Sequence, residues 1–547
     1  MISSKEDEQP PTKRSKAKVI RPLGYLERLE AAMHSLSFYY SSMVTCRYAI
    51  PAALSTGLDQ DPALQAKLER KVQSAVARIV LDHPFLRVGL RGEHARKPAF
   101  VELEAVDFRR HIAWRRFNAT ADYEAELLAL IQSQLDIKVP QVEDAPSWRI
   151  LVLRVEGEPV MDVMFEWGHA HLDGMSAKMF HENLLLHLNS DSALEVPLKD
   201  HVLVIPPSRH RDLQPSLHAL TKFPVTPGYA LSTLWVELKP PGIAAVSKSD
   251  LHATWAPILL KPYVTQYRHF GIDNRTLQNV LAACRKHNTT LTGLIQAMTH
   301  VSLATRLSVA EARGFLGCTI VNLRPLMCAP EAKTKIFKAS GINPKDIMGN
   351  FMTMIDHEFD ATWVTQIRAA SISQDERLGK DEKESTRKEE DKAERRITAL
   401  EPLVWKAAEI ARAVIQKRLD DGTKNDLMGL MKFIPDFRIL LKDWMKKPRP
   451  HSVAVTNLGV IDGTPHDKTS GDIDTDIKVG EKWALERAIF SVSPEAHGAA
   501  LTICPIAVKG KELYVSCNWQ DCAVDSAIGE GVMADLESWL RFLGEET

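Results

Sequence analysis

The chain has 547 residues, beyond the length at which a single hydrophobic core stops growing, so two lobes are expected. Its 69 Lys and Arg nearly cancel 70 Asp and Glu, which excludes the global basic field that draws a protein to nucleic acid or an anionic surface. Seven cysteines, an odd number without metal-ligand spacing, read as reduced thiols of a cytoplasmic protein, and no metal is expected.

Residues 1–19 are polar and of mixed charge and read as a disordered tail. Leu26, Leu29, Met33 and Leu36 share one helical face over 24–38. A second helix, about 61–81, buries Leu64, Leu68, Val72, Val76 and Ile79 and stops at His83-Pro84. An extended segment at 86–90, a helix at 121–135 and strands at 147–155 and 159–167 follow. After a short loop, Ala177, Phe180, Leu184 and Leu188 mark a further helix, so residues 20–200 form a first lobe.

Residues 201–263, rich in Pro, Ser and His, lack a sustained helical period and read as a crossover. A second lobe, 264–547, opens with a strand at 265–272 and a helix at 273–286. The stretch 374–396 is mostly Lys, Arg, Asp and Glu, which suits a solvated helix or a mobile insertion. The end returns to strands at 451–457, 487–492, 499–507 and 512–518 and a helix from 526 to 543. No run of about 18 apolar residues argues for a spanning helix, which leaves peripheral association with a lipid surface open.

Chemistry concentrates in His169-Ala170-His171-Leu172-Asp173-Gly174, a loop between an apolar strand and a helix. A neutral imidazole held there can take a proton from a hydroxyl, because its ordinary pKa is near working pH. A satisfied core histidine is the plain alternative. Asp173 directly precedes a helix and reads either as its N-cap or as an ionic strut for the loop. No Gly-x-Ser-x-Gly elbow, P-loop or dinucleotide fingerprint is present.

His169-x-x-x-Asp173-Gly174 after a hydrophobic strand resembles the active-site motif of the superfamily of chloramphenicol acetyltransferase, plant BAHD acyltransferases and nonribosomal peptide condensation domains. Other segments resemble, in order, the alcohol O-acetyltransferase family common in fungi. They are Arg21-Pro22-Leu23-Gly24 with Glu27, Tyr39-Tyr40, His83-Pro84-Phe85-Leu86-Arg87 and Pro146-Ser147-Trp148-Arg149. Thr289-Thr290-Leu291-Thr292, Val321-Asn322-Leu323-Arg324-Pro325 and Thr456-Asn457-Leu458-Gly459 complete the set. The Asp-Phe-Gly-Trp-Gly motif of the plant enzymes is absent.

The resemblance implies a mixed α/β fold of two chloramphenicol-acetyltransferase-like lobes, each a mixed sheet with flanking helices, around an active-site tunnel. It implies acyl transfer from acetyl-CoA or another acyl-CoA to an alcohol or to a hydroxyl of a secondary metabolite, with no permanently bound cofactor. His169, at the x-x-x spacing that His171 lacks, would be the general base, and no covalent acyl-enzyme would form. Asp173 would face away from substrate and pair with Arg324, with Gly174 supporting the turn. Thr456 and Asn457 are the oxyanion or substrate candidates, and a monomer is expected. A carrier-protein thioester as donor, water as acceptor, and a non-catalytic binding or scaffold homologue remain as alternatives.

Overall fold

The computed structural model describes residues 17–120, 122–190, 196–209, 212–238, 249–378, 387–464 and 480–545. Most of the tail expected at 1–19 lies outside these residues, as do 379–386 within the charged stretch. The flanks of that stretch extend two helices, Ala361–Leu378 and Arg387–Asp420.

Two mixed sheets organise the chain. The first runs, in spatial order, Ala484–Val492, Ser42–Ala49, Val160–Trp167, Trp148–Val155 and Ile112–Phe117, antiparallel except for its last pair. The second places Thr265–Ile272, Leu513–Gln520, Leu501–Val508, Val453–Val455, Phe315–Asn322 and Met352–Phe359 side by side, with Gly459–Ile461 also on Leu501–Val508. Val453–Val455 runs parallel to both its neighbours. Strand Val160–Trp167 is buried at every position from Met161 onward, which explains its near-continuous apolar sequence. Its two exceptions, Asp162 and Glu166, are both paired: Arg149 Nε donates to Glu166 at 2.7 Å, and although burial would raise the Asp162 pKa, Arg487 and Arg47 hold that carboxyl below the usual range.

Strand Ala484–Val492, from the far end of the chain, completes the first sheet, so a division at residue 263 does not separate the sheets. It also ties the two together: Ser491 Oγ bonds Tyr267 Oη at 3.0 Å, and Ser516 Oγ donates to the Phe490 carbonyl at 2.5 Å.

Two expected elements differ. The strand expected at 86–90 starts as a 3-10 turn, Pro84–Arg87, and becomes extended at Val88–Arg91. Arg87 folds back onto the carbonyls of Val80 and Leu81, at 2.9 and 2.6 Å, which holds the turn closed. The crossover 201–263 contains a helix, Pro227–Leu238. It leaves Leu231 and Trp235 exposed. No helix among the described residues is long and apolar enough to cross a membrane.

Candidate active site

The loop after strand Val160–Trp167 is tight. Gly168 N donates to Ser147 O at 3.0 Å, and His171 N donates back to Gly168 O at 3.0 Å. A Cβ on Gly168 would stand 2.3 Å from Ser147 Oγ, so only glycine allows this approach. Helix Gly174–Asn189 starts immediately afterwards with Asp173 as its N-cap. His169 is therefore held between two elements that are themselves clamped by packing.

Both readings of Asp173 hold together. Its carboxylate accepts Ser176 N at 2.9 Å and Ser176 Oγ at 2.8 Å, the capping contacts. It also accepts Arg324 Nη1 at 2.7 Å, Arg324 Nη2 at 3.1 Å and Phe351 N at 2.9 Å. Five donors fill a carboxylate's acceptor capacity, and none is left for a substrate. Burial would push this carboxyl up, but Arg324 and the hydrogen bonds hold it below the usual range.

Arg324 opens the short helix Arg324–Met327 and is 2 % exposed, which rules out a surface arginine. Its remaining donors reach Ile347 O at 3.1 Å and Gly349 O at 3.2 Å, and its guanidinium lies 4.8 Å from the Phe351 ring centroid. The strut thus joins the start of one helix to a strand end of the second sheet.

His169 differs in being only partly buried. Asn350 Nδ2 donates to its carbonyl at 2.8 Å and lies 3.2 Å from its Nδ1, and the Tyr39 ring meets it edge-on at 5.7 Å. Burial lowers the imidazole pKa below its usual 6.5, against an opposing pull from Asp173 and the residue's own carbonyl. The ring is neutral at neutral pH. His171 is 1 % exposed, packs edge-on to Phe100 at 5.0 Å, and burial takes its pKa to about 3. It is a core histidine.

The Thr456–Gly459 turn comes to the same place. A Cβ on Gly174 would lie 2.6 Å from Leu458 Cδ2, so the turn sits against the helix start. Asn457 is spent on the turn itself: Nδ2 donates to Thr292 Oγ1 at 3.1 Å and Oδ1 accepts Gly459 N at 2.7 Å. Thr456 is partly exposed, and its backbone N–H donates to Ile503 O at 2.9 Å.

Residues that sequence reasoning missed supply much of this frame. Ser176 Oγ, which donates its proton to Asp173, accepts Gly349 N at 3.0 Å, and Asn350 and Phe351 follow directly. The one local signal is Gly349-Asn350 ahead of strand Met352–Phe359, with Gly349 at φ 150°.

A family model described as alcohol acetyltransferase matches residues 113–315. Over its length the chain is 26% identical to a probable alcohol acetyltransferase of Fusarium pseudograminearum, FCK4, covering 96% of each. Among solved structures, a trichothecene 15-O-acetyltransferase of Fusarium sporotrichioides aligns with TM-score 0.62 at 13% identity, covering 95% of this chain and 94% of that one. The first condensation domain of the CDA synthetase aligns with TM-score 0.53 at 13% identity, covering 96% and 95%. The last two are likenesses of fold.

Proposed function

We propose that this chain, which is similar to alcohol acetyltransferases, is an acyltransferase that carries an acetyl or other short acyl group from its CoA thioester to a hydroxyl of a small-molecule alcohol, with His169 as general base. In the reactive tautomer Nδ1 carries the ring proton, turned toward the residue's own carbonyl, and Nε2 is the free acceptor. Nε2 takes the hydroxyl proton as the alcohol oxygen bonds to the thioester carbon. The tetrahedral intermediate then breaks its C–S bond, and the imidazolium returns the proton to the leaving thiolate. Products are the ester and free CoA thiol, with no acyl-enzyme.

Thr456 Oγ is the proposed donor to the oxyanion, in preference to Asn457, whose amide is already engaged by Thr292 and Gly459. Asp173, Arg324, Ser176 and Asn350 position the imidazole and leave the reacting atoms alone. The observation that carries the assignment is the division within the motif. Asp173 is saturated by five donors, while His169 is accessible and held neutral.

The test is thiol release from acetyl-CoA by the wild type and His169→Ala, over short alcohols and polycyclic hydroxylated metabolites, with a no-acceptor control. Acceptor-dependent release should fall by roughly two to four orders of magnitude in the variant at unchanged melting temperature. Near-normal turnover in His169→Ala would remove the general-base role, and release without acceptor would point to thioester hydrolysis.

A further inference from the structure

Tyr39 touches His169 and has no part in the chemistry above. It is 8 % exposed, and its ring meets the imidazole edge-on, with centroids 5.7 Å apart and planes at 60°. The pairing of the first sheet brings it there. Strand Ser42–Ala49 runs antiparallel to Val160–Trp167, with Ser42 opposite Trp167. Continued past the sheet end, that register sets Tyr39 against Ala170, where the chain beyond Trp167 has become the His169 loop.

The Tyr39 ring is fixed from several directions. Its hydroxyl is hydrogen-bonded to Ser42 Oγ, on a residue that is fully buried. Its chain neighbours dock on rings of their own, Phe38 edge-on to His497 at 5.4 Å and Tyr40 stacked on Tyr263 at 3.9 Å. The turn after strand Ala484–Val492 holds the backbone on both sides of it. Ala496 N donates to Phe38 O at 2.8 Å, Ser493 N to Ser41 O at 2.9 Å, and Ser41 N to Ser493 Oγ at 3.1 Å. Strands Ala484–Val492 and Val160–Trp167 flank Ser42–Ala49 in the sheet, so the segment carrying Tyr39 is tied to that turn on one side and meets His169 on the other.

The imidazole itself is held less firmly than its backbone. The contacts of Asp173 with Ser176, Arg324 and Phe351 fix the loop, and none of them falls on the His169 ring. Asn350 Nδ2 donates to the His169 carbonyl, and with the ring proton on Nδ1 it has no ring acceptor to bond. The χ2 torsion of a histidine is broad, so such a ring turns readily, and each turn displaces Nε2, the atom that must meet the hydroxyl. An edge-on aromatic partner restricts the turn, because the pair attracts only over a limited range of distances and angles.

We propose that Tyr39 is a positioning residue for the base: its ring is the stop that keeps the His169 imidazole turned with Nε2 toward the acceptor hydroxyl. Ser42 holds that stop in place through the Tyr39 hydroxyl. Tyr39 exchanges no proton with substrate, since its hydroxyl is engaged with Ser42, and it acts on the reaction only through the imidazole. The proposal rests on the general-base reading of His169.

The test compares Tyr39→Leu, Tyr39→Phe and Ser42→Ala with the wild type by thiol release from acetyl-CoA, using the alcohol that gives the wild type its highest acceptor-dependent rate. Tyr39→Leu should lower kcat roughly ten- to hundredfold and leave the KM of both substrates within about twofold. Tyr39→Phe keeps the ring and Ser42→Ala keeps the whole tyrosine, so each should lose no more than about threefold. Tyr39→Leu is then repeated on His169→Ala, with enzyme in excess of acetyl-CoA so that a slow single turnover is still followed. Acting through a ring that is no longer there, it should change that rate by less than about twofold. An equal fold loss in both backgrounds would overturn the proposal and leave Tyr39 a residue of the fold or of the substrate pocket. A loss carried by the KM of the alcohol, or Tyr39→Phe as slow as Tyr39→Leu, would overturn it too, the first making the ring a pocket wall and the second giving the role to the hydroxyl. Failure of the base assignment appears separately, as near-normal turnover in His169→Ala.

Discussion

Arg324→Met removes the cation from a carboxylate that has no water to turn to. Asp173 and Arg324 are 4 % and 2 % exposed, and the variant breaks contacts of 2.7 and 3.1 Å while Ser176 and Phe351 still bond the carboxylate. Breaking a buried pair by deleting one partner costs about 3–5 kcal/mol, much of it the stranded charge. Asp173→Asn strands the guanidinium instead, which keeps the carbonyls of Ile347 and Gly349, so its cost should be the smaller. The double variant leaves no buried charge and should recover part of the loss. The assay is urea unfolding of the four proteins followed by two probes, since a chain of this size need not unfold in two states. Thiol release is measured alongside, because a loosened turn misplaces His169. If the double variant loses the sum of the two single losses to within about 0.5 kcal/mol, the charges are not coupled and the strut reasoning fails.

The active form of His169 is neutral and its pKa in the free enzyme lies below 6.5, so log kcat/KM should stay flat as pH falls through 6.5 and decline only below it. Asp173 opposes that lowering, so Asp173→Asn should move the acid limb lower still; a limb above 6.5 in the wild type contradicts the assignment. Glu30 binds its proton more tightly folded than unfolded, with pKa rising from 4.5 to about 8, so its contribution to stability falls as pH climbs through that window. Glu30→Gln should therefore gain melting temperature over the wild type at pH of about 8 relative to about 5, and equal differences at both would refute the buried carboxyl. Gly349→Ala would force a Cβ to 2.5 Å from the Phe351 ring at φ 150° and should cost roughly 1–3 kcal/mol together with turnover. Gly174→Ala meets only the tip of Leu458, at 2.6 Å, so a larger loss there than at Gly349 would reverse the reasoning.

The sequence by itself determined the elements that bury one regular stripe. Helix Pro62–Asp82 follows from Leu68, Val72, Val76 and Ile79, and strand Val160–Trp167 from its largely apolar run, because a period of 3.6 or a buried strand is written in neighbouring residues. The loop from His169 to Gly174 was legible for the same reason, lying where two such elements meet. Helix Pro227–Leu238, which turns Leu231 and Trp235 outward, was not. Only the tertiary structure decided that Ala484–Val492 would pair with Ser42–Ala49, that Gly349, Asn350 and Phe351 would close around Asp173 and His169, and that Glu495 would be laced beside Tyr39. These contacts join residues more than a hundred positions apart, where no local period or propensity carries a signal. What places them is the packing of one sheet against the other, and with it the buried hydrogen bonds that burial makes obligatory.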